Sequence, residues 1–164
     1  MGCALDEDEQ NIILNAANLI TLARTAVEID YRGDVIDAHA PEMPTRLAKQ
    51  LTQIFRGAVV IGLNRTQALA LVLRCARDSM PQLRLEVLRE VARQPDVPVI
   101  QIRRRLQKPR TTIDRTLQAL HILGLLTCRE TEAERGGKAV QIRHYSLAED
   151  IDLADLDALP CPEM

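Results

Sequence analysis

The sequence predicts a mainly α-helical protein with one small β-hairpin, on the basis of its composition and its apolar spacing. Hydrophobic residues make up 46% of the 164 residues, aromatic residues only 2%, and tryptophan is absent. Such an aliphatic composition favours packed helices over a β-sandwich. Apolar residues recur at steps of three and four along most of the chain, whereas Lys138 to Ser146 alternates in the manner of a strand.

Charge is distributed unevenly along the chain, although the net charge is only −2. Between Val97 and His144, ten Lys or Arg residues less four Asp or Glu residues give a net charge of +6. The first ten residues contain four acids and no base, and residues 149–164 contain six acids and no base. A basic middle between acidic ends is compatible with nucleic-acid binding despite the negative sum.

The cysteines predict neither a metal site nor a disulfide framework. Cys3, Cys75, Cys128 and Cys161 form no CxxC pair and have no histidine at ligand spacing. Dispersed thiols of this kind suit a reducing cytoplasm. No apolar run reaches the roughly 20 residues that span a bilayer, and the acidic start is unlike a signal peptide. We therefore expect a soluble, cytoplasmic protein that binds no metal and no membrane.

The chain carries no recognisable catalytic motif. The patterns GxxxxGK[ST], GxGxxG and HExxH are absent, and no Ser–His–Asp or Cys–His set is evident. His39 and Glu42 lie in a stretch that we interpret as a solvated loop rather than a site. We expect no enzymatic activity and no cofactor.

Residues 1–79 are predicted to form an α-helical region that serves dimerisation or docking. A first helix follows the acids Asp6 to Glu9, which suit the positive end of a helix dipole, and it should end near Asp30, before a turn-like sequence. Val35 to Met43 is predicted to be a loop. The apolar stripe of this helix, which is the expected dimer element, consists of Ile12, Ala16, Leu19, Ala23 and Val27.

Two further helices are predicted in the same region. One should begin near Pro44, since proline suits a first helical turn, and end at Gly57. The next should be capped by Asn64 or Thr66 and stop before Pro81. The residues expected to face inward are Leu47, Leu51, Ile54, Ala68, Leu69, Leu71, Val72 and Cys75.

Residues 80–147 are predicted to form three helices followed by two strands. The first helix covers about Pro81 to Arg93, the second starts near Pro98, and Gln107 to Pro109 makes a turn to the third, which Gly124 ends. Leu125 to Glu130 and Lys138 to Ser146 are the expected strands of a hairpin wing, with a tip at Thr131 to Gly137. On the first helix, Arg84, Glu86, Arg89, Glu90 and Arg93 should lie largely outside, and on the third, Ile113, Leu117, Leu120 and Leu123 should lie inside.

The outer face of the third helix carries residue types that suit the major groove of DNA. Arginine can bond guanine, glutamine can bond adenine, and threonine can bond bases or phosphates. A solvated charged face is the ordinary alternative, but here two basic clusters adjoin. Glu132 and Glu134 dilute the charge of the hairpin, and we interpret His121 as a surface residue. The expected DNA-binding residues are Arg103, Arg104, Lys108, Arg110, Thr111, Thr112, Arg115, Gln118, Arg135 and Lys138.

The segment KPRTTIDRTLQALHILGLLT resembles the recognition helix and following strand of bacterial winged helix-turn-helix regulators of the MarR, ArsR and IclR kind. Lys108-Pro109 stands in the turn, Thr111-Thr112-Ile113 opens the helix, and Leu123 to Leu126 closes it. The resemblance covers about Pro81 to Ser146 and implies a winged helix that docks on DNA. The Cys-rich motif of ArsR-type metal sensors is absent.

A second resemblance spans more of the chain. NLITLARTAVEIDYRGDVIDAHAPEMPTRLAKQL followed by a winged helix is similar to the C-terminal part of some bacterial AAA-type ATPases. The resemblance implies that Arg46 belongs to a nucleotide-sensing lid. The chain departs from that family in having no Walker A or Walker B segment, so it could not by itself cradle ATP phosphates.

The sequence therefore predicts sequence-specific binding of double-stranded DNA by a homodimeric transcriptional regulator, with residues 148–164 as an acidic tail. The alternative is the lid and DNA-binding module of an AAA-type ATPase, which would act with an ATPase partner in replication or in a mobile element. A third reading is a winged helix used for protein contact alone.

Overall fold

The structure is a computed structural model that describes residues 4–157. Its chain divides into two units, which we describe separately. The helical unit contains residues 4–24, 41–81 and 152–157, and the α/β unit contains residues 25–40 and 82–151. The units meet between Pro81 and Gln82, and residues 25–40 belong with the C-terminal unit. No helix within residues 4–157 is both long and apolar enough to cross a membrane.

The protein is mainly helical, with two small antiparallel sheets. In chain order the elements are α1 (Glu7–Ala23), β1 (Val27–Ile29), β2 (Val35–Ala38), α2 (Pro44–Val60), α3 (Arg65–Asp78), α4 (Gln82–Arg93), β3 (Val97–Pro98), α5 (Val99–Leu106), α6 (Arg110–Ile122), β4 (Leu126–Arg135), β5 (Lys138–Leu147) and α7 (Ala154–Asp157).

Helix α1 begins where its acids predict and ends earlier than expected. The Asp6 carboxylate accepts a hydrogen bond from the Glu9 N–H at 2.8 Å, and the Glu9 carboxylate accepts one from the Asp6 N–H at 3.0 Å. Such a reciprocal capping box fixes the start of a helix. Val27 was expected in its apolar stripe, but it lies in β1, where β-branched residues are favoured. Of the rest of the stripe, Ala16, Leu19 and Ala23 are buried and Ile12 is half-buried, and α1 packs against α2 and α3.

Helices α2 and α3 start as predicted. Pro44 occupies the first turn of α2, and the Asn64 side chain caps α3. The prediction that Gly57 ends α2 was wrong, because the helix continues to Val60; a helical glycine costs only about 1 kcal/mol relative to alanine. Ile54 and Leu71 were expected to be buried, but both are exposed. The inward positions Leu47, Leu51, Ala68, Leu69 and Val72 are buried.

Residues 152–157 of the expected acidic tail are part of the helical unit, whereas residues 148–151 belong to the α/β unit. Leu153 and Leu156 are buried, and the carbonyl of Leu156 accepts a hydrogen bond from Arg77 at 3.3 Å. The remainder of the tail, residues 158–164, lies outside the described residues, as does Cys3.

In the α/β unit, helices α4, α5 and α6 pack against one another and against a sheet of strand order β3-β5-β4. The short strand β3 was not predicted; Val97 pairs with Tyr145 and Pro98 with His144. The core of this unit is aliphatic, as the composition suggested. Its fully buried members include Val87, Leu88, Ile102, Ile113, Leu117, Leu120 and Leu125.

Strands β4 and β5 form a longer ribbon than expected. Pairing runs without a break from Leu126↔Leu147 to Arg135↔Lys138. Only Gly136 and Gly137 form the turn, both with positive φ angles of 59° and 76°. Two-residue hairpin turns of this kind require positive φ at both positions, which glycine adopts without strain. The predicted tip at residues 131–137 is therefore mostly strand.

The second sheet, β1–β2, is a hairpin that the sequence analysis did not predict. Its turn is held by the Asp30 carboxylate, which accepts hydrogen bonds from the N–H groups of Arg32 at 2.8 Å and Asp34 at 2.9 Å. At the other end, the His39 N–H donates to the carbonyl of Ala26 at 2.9 Å. We call residues 27–38 the acidic hairpin.

Candidate nucleic-acid interface

The junction of α5 and α6 brings several of the predicted DNA-binding residues to one corner. Gln107 adopts a left-handed conformation with φ of 52° and ends α5, and Pro109 then leads into α6. The residues exposed at this junction, which we call the basic corner, are Arg104, Lys108, Arg110 and Thr111.

The start of α6 is open to an anion. No side chain among the described residues caps this helix, whose N-cap is Pro109. The first N–H groups of a helix lack intrahelical partners, and together with the helix dipole they favour a bound phosphate. The basic corner therefore combines free backbone N–H donors with two cationic side chains, Lys108 in the turn and Arg110 at the first position of α6.

The three consecutive arginines of α5 have different environments. Arg104 is exposed. Arg103 is half-buried, and its Nε has no hydrogen-bond partner within the described part of the chain. Arg105 lies 3.4 Å from Glu90 and donates to Gln94 at 2.9 Å. Only Arg104 of the run therefore projects freely toward solvent.

Glu90 explains why Arg105 is paired, unlike Arg104. The sequence placed Glu90 on the outside of α4, but only 6% of the residue is exposed. One of its carboxylate oxygens pairs with Arg93 at 2.6 Å, and the other pairs with Arg105 at 3.4 Å. The prediction was wrong because a buried carboxylate becomes tolerable once guanidinium groups pair with it.

The outer face of α6, formed by Thr111, Arg115 and Gln118, is only partly free. Thr111 is exposed, but Gln118 is half-buried. Its Oε1 accepts a hydrogen bond from the N–H of Val35, in β2, at 3.3 Å. Thr112, beside this face, is half-buried, and Asp114 pairs with Arg110 at 3.3 Å.

Arg115 lies directly against the turn of the acidic hairpin. A β-carbon at Gly33 would overlap the Arg115 guanidinium, and Gly33 has a φ of 88° that L side chains rarely adopt. The positive φ favours glycine at this turn, whereas the overlap with Arg115 concerns only the end of a flexible side chain that is itself exposed. Two residues expected to read bases, Arg115 and Gln118, are therefore engaged by another segment of the same unit.

The ribbon contributes basic residues at its tip. Arg135 and Lys138 are exposed and face each other across the last pair of the ladder, at the opposite end of β4 from α6. Nearer the base, Arg143 pairs with Glu130 at 3.0 Å, and Arg129 forms a two-bond pair with Asp96. These bonds raise the pKa of each guanidinium and lower the pKa of Asp96.

An open cavity of about 490 Å³ lies between the acidic hairpin, the C-terminal half of α6 and the base of the ribbon. Asp34, Gln118, His121, Cys128 and Tyr145 are among its lining residues. The Nδ1 atom of His121 is 2.9 Å from the carbonyl of Leu126. Burial, and secondarily the neighbouring Cys128, raise the pKa of Tyr145. Within residues 4–157, no group of three or more His, Cys, Asp or Glu side chains is placed to hold a metal ion.

His39, Glu42 and Arg46 each have a charged neighbour within their own unit. His39 is 3.8 Å from Glu28, within the α/β unit. Glu42 pairs with Arg24 and lies 3.9 Å from Arg46, within the helical unit.

The acidic hairpin, which contacts Arg115 and Gln118, was not predicted from the sequence. A signal for it exists: Val27-Glu28-Ile29 and Val35-Ile36-Asp37-Ala38 flank a turn that contains Gly33. Short runs of β-branched residues around a glycine turn are typical of a hairpin. Comparison of the chain with protein-family models, with curated protein sequences and with solved structures gave no significant match.

Proposed function

We propose that residues 82–151 form a winged helix-turn-helix that binds double-stranded DNA, and that the protein acts as a DNA-binding regulator. The observation that carries the proposal is the basic corner, where exposed cations surround an uncapped helix N-terminus. Helix N-termini and Lys or Arg side chains are the groups that proteins use to grip the phosphate backbone.

The order of the elements supports this proposal. A helix is followed by the short strand β3, two helices joined at a tight turn, and a ribbon whose strand β5 pairs with β3. A winged helix-turn-helix has this order. The third helix is then the one expected to enter a major groove, while the ribbon lies beside it.

The distribution of charge supports it as well. Four of the ten basic residues between Val97 and His144 are held by acids of the same unit, namely Arg105, Arg110, Arg129 and Arg143. Arg104 and Lys108 at the corner have no ion pair within the described chain, and neither do Arg135 and Lys138 at the ribbon tip. Cations without internal partners remain free to neutralise phosphates.

In the arrangement described, we expect the corner to supply affinity and little sequence discrimination. Phosphate contacts position a protein on DNA but do not read its sequence. Arg115 and Gln118, which have the chemistry to read bases, are in contact with the acidic hairpin instead.

Fluorescence anisotropy with a labelled random-sequence duplex tests the proposal. We expect binding at about 50 mM salt, with a slope of log K against log salt of about −0.9 for each phosphate neutralised. The double substitution Arg104→Ala and Lys108→Ala should weaken binding to all duplexes and make that slope shallower by about 2. The double substitution Lys49→Ala and Arg56→Ala, which removes two exposed charges from α2, is the matched control and should change neither value.

Absence of binding at low salt would refute the proposal. An equal loss from the double substitution Lys49→Ala and Arg56→Ala would attribute the binding to overall charge and not to the corner. Homodimerisation stays a companion prediction, because two half-sites supply the affinity that one small interface lacks; light scattering at high concentration tests it.

A further inference from the structure

We propose that the acidic hairpin competes with DNA for the outer face of α6 and holds the protein in a closed state. This inference rests on the proposed function, since it concerns how the same DNA-binding surface is regulated. It is carried by three observations on the α/β unit: the contacts of the hairpin, its charge and its connection to the rest of the unit.

The contacts are made with the residues that would read DNA. Val35 donates its N–H to the Gln118 side chain, and the Gly33 turn lies against the Arg115 guanidinium. With the Val35 backbone 3.3 Å from its amide oxygen, Gln118 has the hairpin beside the group that would take part in the two-point contact with adenine. The hairpin thus bonds the oxygen of Gln118 and lies against the end of the Arg115 side chain, which is still exposed.

The charge of the hairpin segment is opposite to that of the surface it covers. Residues 25–40 contain four acids, Glu28, Asp30, Asp34 and Asp37, and one base, Arg32, which gives a net charge of −3. The basic surface that would attract phosphates also attracts this segment. The hairpin segment and the DNA backbone are both anionic, so each would repel the other from this surface.

The hairpin and a DNA duplex are also too large to contact the outer face of α6 at the same time. A major groove is about 12 Å wide, and an α-helix with its side chains is about 10–12 Å across. One helix therefore fills the groove. A two-stranded hairpin on the outer face of that helix must leave before Arg115 and Gln118 reach base edges.

The hairpin is connected in a way that permits such a displacement. Its two ends meet where His39 donates to the carbonyl of Ala26. Just before it, the carbonyl of Thr25 accepts a hydrogen bond of 2.7 Å from Arg84 on α4. Residues 27–38 can then swing as a body about an anchored base, without unfolding the three helices.

The closed and open states have different binding properties. In the closed state, the basic corner holds phosphates and all sequences bind similarly. In the open state, the outer face of α6 enters the groove and discriminates between bases. A ligand or partner that binds only the displaced hairpin would raise sequence-specific binding, since it shifts the population toward the open state.

Two variants of the full chain test the inference. In the first, a short Gly-Ser linker replaces residues 27–38, which the adjacent ends allow. In the second, Glu28→Gln, Asp34→Asn and Asp37→Asn neutralise the hairpin and leave Asp30, which holds the turn, unchanged. A duplex selected from random oligonucleotides by the linker variant serves as the probe, and a scrambled duplex of the same composition serves as its control.

We expect the linker variant to bind the selected duplex about tenfold or more tightly than the wild-type protein, within the usual range of coupling between sites. The neutralised variant should gain less. The gain must be larger for the selected than for the scrambled duplex, because loss of negative charge alone would strengthen both equally.

Arg115→Ala, introduced into the wild-type and linker backgrounds, makes the test specific to the covered face. We expect a loss of about tenfold or more in the linker background and less than about twofold in the wild type. Equal affinities and equal effects of Arg115→Ala in both backgrounds would overturn the inference and leave the proposed function standing. Failure of every variant to bind any duplex would overturn both.

Discussion

Glu90 on α4 bridges to Arg105 on α5, with 3.4 Å between Oε2 of the first residue and Nη1 of the second. The other carboxylate oxygen of Glu90 pairs with Arg93, one turn further along α4, at 2.6 Å. The carboxylate is nearly inaccessible, whereas both guanidinium groups reach solvent. This cluster links α5 to α4 and pairs Arg105 within the α/β unit, although the Arg105 side chain is still 42% exposed.

Glu90→Gln should lower the free energy of unfolding by about 1–2 kcal/mol, because hydrogen bonds to a charged group are replaced by weaker neutral ones. The estimate is modest since the exposed arginines can return to water. Urea denaturation gives the measurement. Glu132→Gln, at an exposed position on β4, is the control and should change stability by less than about 0.5 kcal/mol. Equal effects of the two substitutions would contradict a structural role for Glu90.

The end of α6 supplies a second prediction. Gly124 has a φ of 77°, and the N–H of Leu125 after it bonds the carbonyl of Leu120 at 2.9 Å, as in a glycine-terminated helix. Gly124→Ala should therefore lower the free energy of unfolding by about 1–2 kcal/mol, the cost of a left-handed alanine.

Gly57→Ala is the matched substitution with the opposite expected sign. Gly57 lies inside α2, and an added β-carbon there meets no described atom within 4 Å. This change should raise the free energy of unfolding by about 0.5–1 kcal/mol. If both substitutions change stability in the same direction, the assignment of the two glycine conformations is wrong.

The sequence was sufficient for features that depend on neighbours along the chain. The acids before α1, Pro44 at a helix start, the Asn64 cap and Gly124 at a helix end are all local signals, and each of these helix ends is present. Features that depend on distant partners were missed. Two residues are too short a pattern to predict β3, which exists because β5 lies beside it.

The candidate site shows the same limit. Residue types identified the exposed cations of the basic corner, because charge and position in a turn are local properties. The division of the α5 arginines depends on Glu90 of α4, and the engagement of Arg115 and Gln118 depends on a hairpin about 80 residues earlier in the chain. Periodicity within α6 alone could not reveal what covers its outer face.

The Asp96–Arg129 pair predicts a pH-dependent contribution to stability. The hydrogen bond from Arg129 holds the pKa of the Asp96 carboxyl below its ordinary value. A carboxyl whose folded pKa is depressed stabilises the fold above its unfolded pKa of about 3.9, and this contribution is lost as pH falls through the lower, folded value.

Asp96→Asn isolates this contribution, because asparagine also tolerates the positive φ of 59° at this position. We expect the wild-type protein to have a higher Tm than the variant at pH 6–7, and the difference to disappear in acid. Thermal denaturation followed by circular dichroism between about pH 7 and pH 3 gives the comparison. A difference that stays constant over that range would show that the charge of Asp96 is not its cause.

The start of α6 allows stability and DNA binding to be separated in one substitution. Thr111 is exposed in the first turn of a helix that no described side chain caps. Thr111→Asp should stabilise the protein by about 0.3–1 kcal/mol, because a carboxylate there interacts favourably with the helix dipole. The same carboxylate would stand where we expect a phosphate, and it should weaken duplex binding by roughly tenfold.

Thr66→Asp is the control, since Thr66 has the equivalent exposed position in the first turn of α3, in the helical unit. It should not destabilise the protein and should leave duplex binding unchanged. Opposite effects of Thr111→Asp on stability and on DNA binding, with no binding effect from Thr66→Asp, would locate the phosphate at the start of α6. If both variants bind duplex equally well, DNA does not contact the basic corner. A carboxylate placed at a phosphate-binding helix start must repel the phosphate.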